Sequence, residues 1–335
     1  MPDAFSRRTF AGSSLAMAAS LLPGGPGWTQ TITANASLQK PDPDQDAASL
    51  AARTDANSHL TVEVMINGKG PYHFVVDTGA ERTVIADTVA SALGLIHSNT
   101  VTINGISNRI TVPTVQVSSL SFGPFVRTDL SLPILPRRFL YADGYLGLDA
   151  INGTRVTFDF QNRAVHIEQP RAPINQIDPQ GEVARVRAKG TDGRLRVTGC
   201  LVDSVPATAF IDTGAEVSVG NETLLYNLQR RNKRLATLGT MTLTGVTGGE
   251  VTGDIIPVER IRLQGLAFTN GSLVIADVPD FSMWKLRLRA ALLIGMDYLR
   301  QFAAVTIDYR NKEIRFELSL APPRPPPGVE IDHTV

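Results

Sequence analysis

Residues Phe74–Ala86 read FVVDTGAERTVIA: an apolar run meets a single acid, then turns on Thr-Gly. A carboxylate at the end of a buried-looking strand sits near low dielectric, which disfavours its charged form. Such a placement is destabilising unless hydrogen bonds or a second group compensate. A near copy, FIDTGAEVSVGN, occupies Phe210–Asn221, 135 positions further on. One Asp-Thr-Gly is a weak signal, and each acid alone would read as the anchor of a turn. Two of them in matched surroundings point to a pair.

The surroundings do match. Asp77, Thr78, Gly79, Ala80 and Glu81 align with Asp212, Thr213, Gly214, Ala215 and Glu216. Farther along, Tyr145-Leu146-Gly147-Leu148-Asp149 aligns with Leu293-Ile294-Gly295-Met296-Asp297, and VTFDFQNRAVHIE (156–168) with VTIDYRNKEIRFE (305–317). Three blocks in one order make an internal repeat of about a hundred residues rather than a short-period solenoid. Within each unit the pattern is of short alternating or fully apolar runs punctuated by Gly, Asn and Pro, which favours strands and hairpins. The runs LTVEVMI, RITVPTVQV and RVTFDF, then RLRVTGCLV, ATAFID and GSLVIADV, are the expected strands. Helical patches are few: Asp87–Leu95, with Asp87 as its N-cap, and ETLLYNLQRR in the second unit. Asp149 and Asp297 open short helical runs and read as caps rather than catalysts. Asp159 and Asp308 sit at hairpin positions and read as structural.

If the units pack about a pseudo-twofold axis, Asp77 and Asp212 meet at the seam. Carboxylates roughly 3 Å apart cannot both ionise easily and so share one proton. One then activates water as a base while the other donates to a carbonyl oxygen, an arrangement that hydrolyses an amide with no metal and no covalent intermediate.

Composition narrows the alternatives. The chain has 335 residues, 43% of them apolar, with Lys+Arg 32 against Asp+Glu 32. That balance creates no field to gather phosphates, so nucleic acid is not an expected partner. The single cysteine, Cys200, forms no intrachain disulfide and reads as a small buried apolar residue. Five scattered histidines show no zinc spacing, and neither GxSxG nor a phosphate-binding loop is present. No metal and no cofactor is expected. Trp28 and Trp284 mark no site on this reading.

The segments DTGAERTVI and DTGAEVSVG, each followed by an apolar-apolar-Gly block (YLG, LIG), resemble retropepsin-like aspartic proteases over roughly residues 59–168 and 183–318. The resemblance implies an all-β fold of two acid-protease β-barrel lobes related by a pseudo-twofold, with a few short helices. It implies Asp77 and Asp212 as the catalytic pair, with Thr78 and Thr213 locking the two loops together across the seam. Gly79 and Gly214 shape those loops, while Gly147 and Gly295 pack behind them. Ala80 and Ala215 are the retropepsin-type choice, and Glu81 and Glu216 match residues that contact substrate backbone in viral relatives. Flap hairpins are expected at Ile103–Thr114 and Leu243–Ile256; neither carries the tyrosine typical of pepsin flaps.

The organisation expected is a signal region at 1–36, an unstructured lead-in at 37–57, lobes at 58–169 and 182–319 joined by a linker at 170–181, and a Pro-rich tail at 320–335. Ser6-Arg7-Arg8-Thr9-Phe10, followed by a short apolar run, resembles a bacterial twin-arginine export signal. It implies a periplasmic protein, or one released further or held by an uncleaved signal, with no stable membrane span after signal removal. The leading expectation is an endopeptidase acting on a peptide or protein substrate as a monomeric pseudo-dimer. Two alternatives stand beside it: each unit pairing with its own copy, or a periplasmic peptide-binding or scaffolding module that keeps the fold without turnover.

Overall fold

The computed structural model describes residues 60–170, 183–191 and 194–318, with short backbone strands between 12 and 54. Ser6–Phe10, Trp28, most of the linker and the Pro-rich tail lie outside the described residues.

Both units fold as closed rings of six strands. In the first, the path runs Arg109–Phe122, Phe125–Leu135, Val84–Ala86, Gly144–Leu146, Lys69–Val76 and Leu60–Ile66, then back to Arg109–Phe122. In the second it runs Glu250–Leu263, Leu266–Ile275, Val219–Gly220, Ala291–Ile294, Val205–Ile211 and Arg194–Val202, closing by Cys200 opposite Leu263. Closure leaves no open edge around the ring. Alternation places Val62, Val64 and Ile66 inside the first barrel and Val197, Cys200 and Val202 inside the second. Cys200 is the small buried residue its context suggests, and burial pushes its thiol up to about 12.

The strand ending at Val76 runs parallel to Gly144–Leu146, and the one ending at Ile211 runs parallel to Ala291–Ile294. The chain therefore leaves each barrel at an Asp whose own N–H donates to the neighbouring strand: Asp77 to Leu146 O, Asp212 to Ile294 O, both 2.9 Å. This is why a carboxylate ends each apolar run.

The closing hairpins, Arg155–Asp159 with Ala164–Glu168 and Ala304–Asp308 with Glu313–Glu317, join the two units in one antiparallel sheet. Arg155 faces Asp308, Thr157 faces Thr306 and Asp159 faces Ala304. Each pair matches a residue of one unit with the mirror residue of the other, as at an isologous interface. The axis passes between Thr157 and Thr306, whose hydroxyls lie 2.8 Å apart.

Three expectations change. The helix Asp87–Ala92 begins one residue earlier than expected: Ala86 occupies the cap position, and the Asp87 carboxylate accepts from the N–H of Arg137 instead. Asp149 and Asp297 are not caps either, since Gly147 and Gly295 hold those positions and both carboxylates are turned toward the catalytic-type loops. Within the expected lead-in, Ala47–Ala51 runs antiparallel to Ala164–Glu168, and Arg53–Thr54 to Leu60–Ile66. A sheet edge presents unpaired N–H and C=O groups to which extended chain adds. Helix Glu222–Arg231 matches the sequence, with Asn221 accepting from Leu224 N as its cap.

Arg155 joins the units electrostatically. Its Nε lies 2.8 Å from Asp308 Oδ2, and its Nη1 bonds Glu168. Both Arg155 and Asp308 are buried. Removing one partner of a buried pair strands the other charge. Arg155→Met is therefore expected to lower unfolding stability by about 3 kcal/mol, read from urea denaturation. Adding Asp308→Asn should recover part of that loss.

Candidate active site

Asp77 and Asp212 are brought together at the seam. A methyl built on Gly79 would lie 2.6 Å from Oδ2 of Asp212, and one on Gly214 would lie 2.5 Å from the Asp77 carboxyl group. Each carboxyl group thus rests on the glycine of the opposite loop, at a spacing that no other side chain permits. Both aspartates are buried, at 0% and 1% exposure.

Four hydrogen bonds between the threonines and the opposite loop fix this approach. Thr78 N donates to Thr213 Oγ1 (3.1 Å) and Thr213 N to Thr78 Oγ1 (3.0 Å). In turn Thr78 Oγ1 donates to Ile211 O (2.9 Å) and Thr213 Oγ1 to Val76 O (2.7 Å). Each hydroxyl accepts from the opposite threonine's N–H and donates to a carbonyl two residues before that threonine. The network has the twofold character that the resemblance implies.

The carboxylates are held unequally. Asp77 Oδ1 accepts from Gly79 N (2.8 Å) and Ala80 N (3.0 Å), whereas Asp212 Oδ1 accepts from Gly214 N alone (3.0 Å). Ala215 N turns to the backbone carbonyl of Asp212 instead. Oδ2 is buried in both carboxyl groups. Burial first, and then the charge of Asp77, pushes Asp212 well above the usual carboxylate range; Asp280 adds to this and Arg194 opposes it.

Gly147 and Gly295 do pack behind the loops. A Cβ on Gly147 would meet Arg82 backbone at 2.4 Å, and one on Gly295 would meet Ala215 O and Val217 backbone at 2.8 Å. Ala80 and Ala215 are fully buried, their carbonyls accepting from Leu148 N and Met296 N. Asp149 accepts from the N–H (2.8 Å) and hydroxyl (2.7 Å) of Thr83, and Asp297 from those of Ser218 (3.0 and 2.7 Å). Both acids brace the tail of the loop from below. Glu81 pairs across the seam with Arg194 (2.7 Å), while Glu216 pairs within its own lobe with Arg300 (2.9 Å).

Hairpins stand at the two expected flap positions. Their tips, residues 105–108 and 246–249, touch: Asn108 Nδ2 donates to Thr247 O (3.3 Å), and Thr247 Oγ1 donates to Asn108 Oδ1. Ile106, fully buried, packs in the second lobe's cluster with Leu243 and Val278. Gly248 lies against the ring of Phe139 in the first lobe.

Sequence reading missed the wall beside Asp212. Trp284 lines it with Phe210, Leu293 and Arg194, although the tryptophan was read as marking no site. Only its place in the fold reveals it, because residues 276–290 have no counterpart of similar length between the strands of the first unit. Among the described residues no cluster of three His, Cys, Asp or Glu side chains is placed to hold a metal ion.

Two closed barrels that present Asp-Thr-Gly loops to each other across a twofold seam define a bilobal acid-protease fold. This chain belongs to the retropepsin-like aspartyl protease family: the family described as aspartyl protease matches residues 62–150 and again 194–298. No curated protein matches the sequence.

Asp297 yields a pH prediction. Burial pushes its carboxyl up to about 6 from 3.8, against the hydrogen bonds of Ser218. The folded chain then holds this proton more tightly than the unfolded chain. The resulting stability is full below the unfolded value and is lost as pH rises through about 6. Asp297→Asn should flatten the fall in unfolding free energy between pH 4 and 7 by about 2–3 kcal/mol. Urea titrations at several pH values check it.

Proposed function

We propose that the protein is an aspartic endopeptidase that hydrolyses peptide or protein substrates with a water activated between Asp77 and Asp212. The observation that supports this most is the mutual seating of each carboxyl group on the opposite glycine, under four threonine hydrogen bonds. In this reading the pair titrates as a unit. Asp77, with two N–H donors, carries the charge and takes the proton of water. Asp212, desolvated and poorer in donors, holds the shared proton and gives it to the scissile carbonyl oxygen. As the tetrahedral intermediate collapses, the leaving nitrogen takes a proton back from the dyad.

The flap tips touch through Asn108 and Thr247, and in this reading that contact opens to admit substrate. Closure afterwards excludes bulk water and positions the peptide. In this reading Glu81 and Glu216, each paired with an arginine, meet substrate backbone. No metal or cofactor enters the scheme. The chain acts as a monomer, each lobe giving one aspartate, and Ser6–Phe10 directs its export to the periplasm.

Asp77→Asn and Asp212→Asn are each expected to lower peptide hydrolysis by about 10³-fold or more, with no further loss in the double variant. Chelators should leave activity unchanged. Retention of half the activity in either single variant would instead mean two separate sites. Binding of a statine-type peptide with no cleavage of any peptide library would favour the peptide-binding module.

A further inference from the structure

The cleft is not symmetric, and its second-lobe side holds an unusual pocket. Leu195, Phe210, Ile211, Trp284 and Leu293 give it an apolar wall, and Thr78, Gly79 and Asp212 form its dyad side. A group seated there is the immediate neighbour of the bond being cut. Phe210 and Trp284 have ring centroids 4.5 Å apart, so the wall is aromatic and well packed.

Into this apolar wall the fold places two buried donors. Arg194 is 5% exposed; its Nη2 bonds Glu81, and its guanidinium lies 5.1 Å from the Trp284 ring centroid, yet its Nε has no hydrogen-bond partner. The indole Nε1 of Trp284 is also buried without one. A buried donor left unsatisfied costs about 1–3 kcal/mol, so such groups are kept where a ligand or water supplies the acceptor.

We propose that this pocket reads the substrate residue flanking the scissile bond, and that Arg194 and Trp284 select a neutral hydrogen-bond acceptor there, an asparagine or glutamine side chain. This rests on the peptidase reading above and names its substrate class. The charge balance picks the amide. Arg194 already has its counter-ion in Glu81, and the dyad beside it carries one negative charge, so a carboxylate adds repulsion. A basic side chain would face the Arg194 guanidinium. The free volume there is about 10 Å³, room for roughly one water. An amide oxygen replaces the bonds of such a water, whereas an aliphatic side chain expels it and replaces nothing.

Matched peptides with Gln, Glu or Leu at each position flanking one cleavage site test this in two ways. The intact protein should cleave the Gln peptide with kcat/KM about tenfold or more above Leu and Glu at one flanking position. The Asp77→Asn protein should bind the three in the same order. Trp284→Phe, which keeps the ring and removes the donor, should bring the Gln-to-Leu ratio close to one. Equal or better use of Leu or Glu by the unmodified protein overturns the proposal. So does a Trp284→Phe variant that loses both peptides in equal proportion, since that marks a purely structural role. If nothing is cleaved but Asp77→Asn prefers Gln, the pocket assignment stands and the peptidase reading falls. If none of the peptides is cleaved or bound, both fall.

Discussion

Two carboxyl groups are buried against each other's loops, and the rest of the molecule is arranged so that they stay there. Burying an ionised carboxylate carries an effective penalty of several kcal/mol, and two adjacent ones add mutual repulsion. Leaving one of them protonated removes the larger part of that cost, while backbone N–H groups stabilise the charge on the other. Thr78 and Thr213 then determine the separation. Each hydroxyl accepts from the opposite N–H and donates to a carbonyl beyond it, so neither loop satisfies its buried groups without the other. A single lobe would expose an orphan N–H and an orphan hydroxyl at its most apolar edge. The two lobes therefore specify one another chemically as well as sterically.

The antiparallel pairing of Arg155–Asp159 with Ala304–Asp308 imposes the same symmetry from beneath. Because side chains alternate with a period of two, a one-residue slip would turn Val156, Phe158, Val305 and Ile307 out of the core. Register in this sheet is thus pinned by burial, and with it the facing of the two loops. Asp149 and Asp297 carry that placement upward. The carboxylate oxygens of each take the N–H and hydroxyl of the residue that ends the catalytic-type loop. The glycines at 147 and 295 let the backbone come close enough for this contact.

The repeated blocks made the strands and the paired acids legible, because each depends on local chemistry, apolar alternation and a Thr-Gly turn; the barrels and the flap positions were implied by the family resemblance. What stayed hidden depends on contacts between distant segments. Asp149 looks like a cap because a carboxylate at the start of a helical run usually is one. Its partner Thr83 lies 66 positions away, and no local pattern announces it. Arg194 likewise reads as one more strand arginine until the seam brings Glu81 to it. Trp284 is informative only once residues 276–290 are seen to wall the cleft.

Duplication within one chain allows what a dimer of identical subunits does not. The threonine lock and the glycine seats have to remain nearly twofold, because each half of the chemistry is the other's support. The walls of the cleft are under no such constraint. In the first lobe residues 136–143 bring Phe139 against the opposite flap tip; in the second, the longer segment 276–290 brings Asp280 and Trp284. The pairing of acids with arginines diverges in the same way, across the seam for Glu81 and within the lobe for Glu216. A peptide lying over the dyad has a direction, N-terminus to C-terminus, and its two flanking residues differ. A cleft with unlike walls reads that direction, and the donors beside Asp212 give one wall a chemical preference that the other lacks.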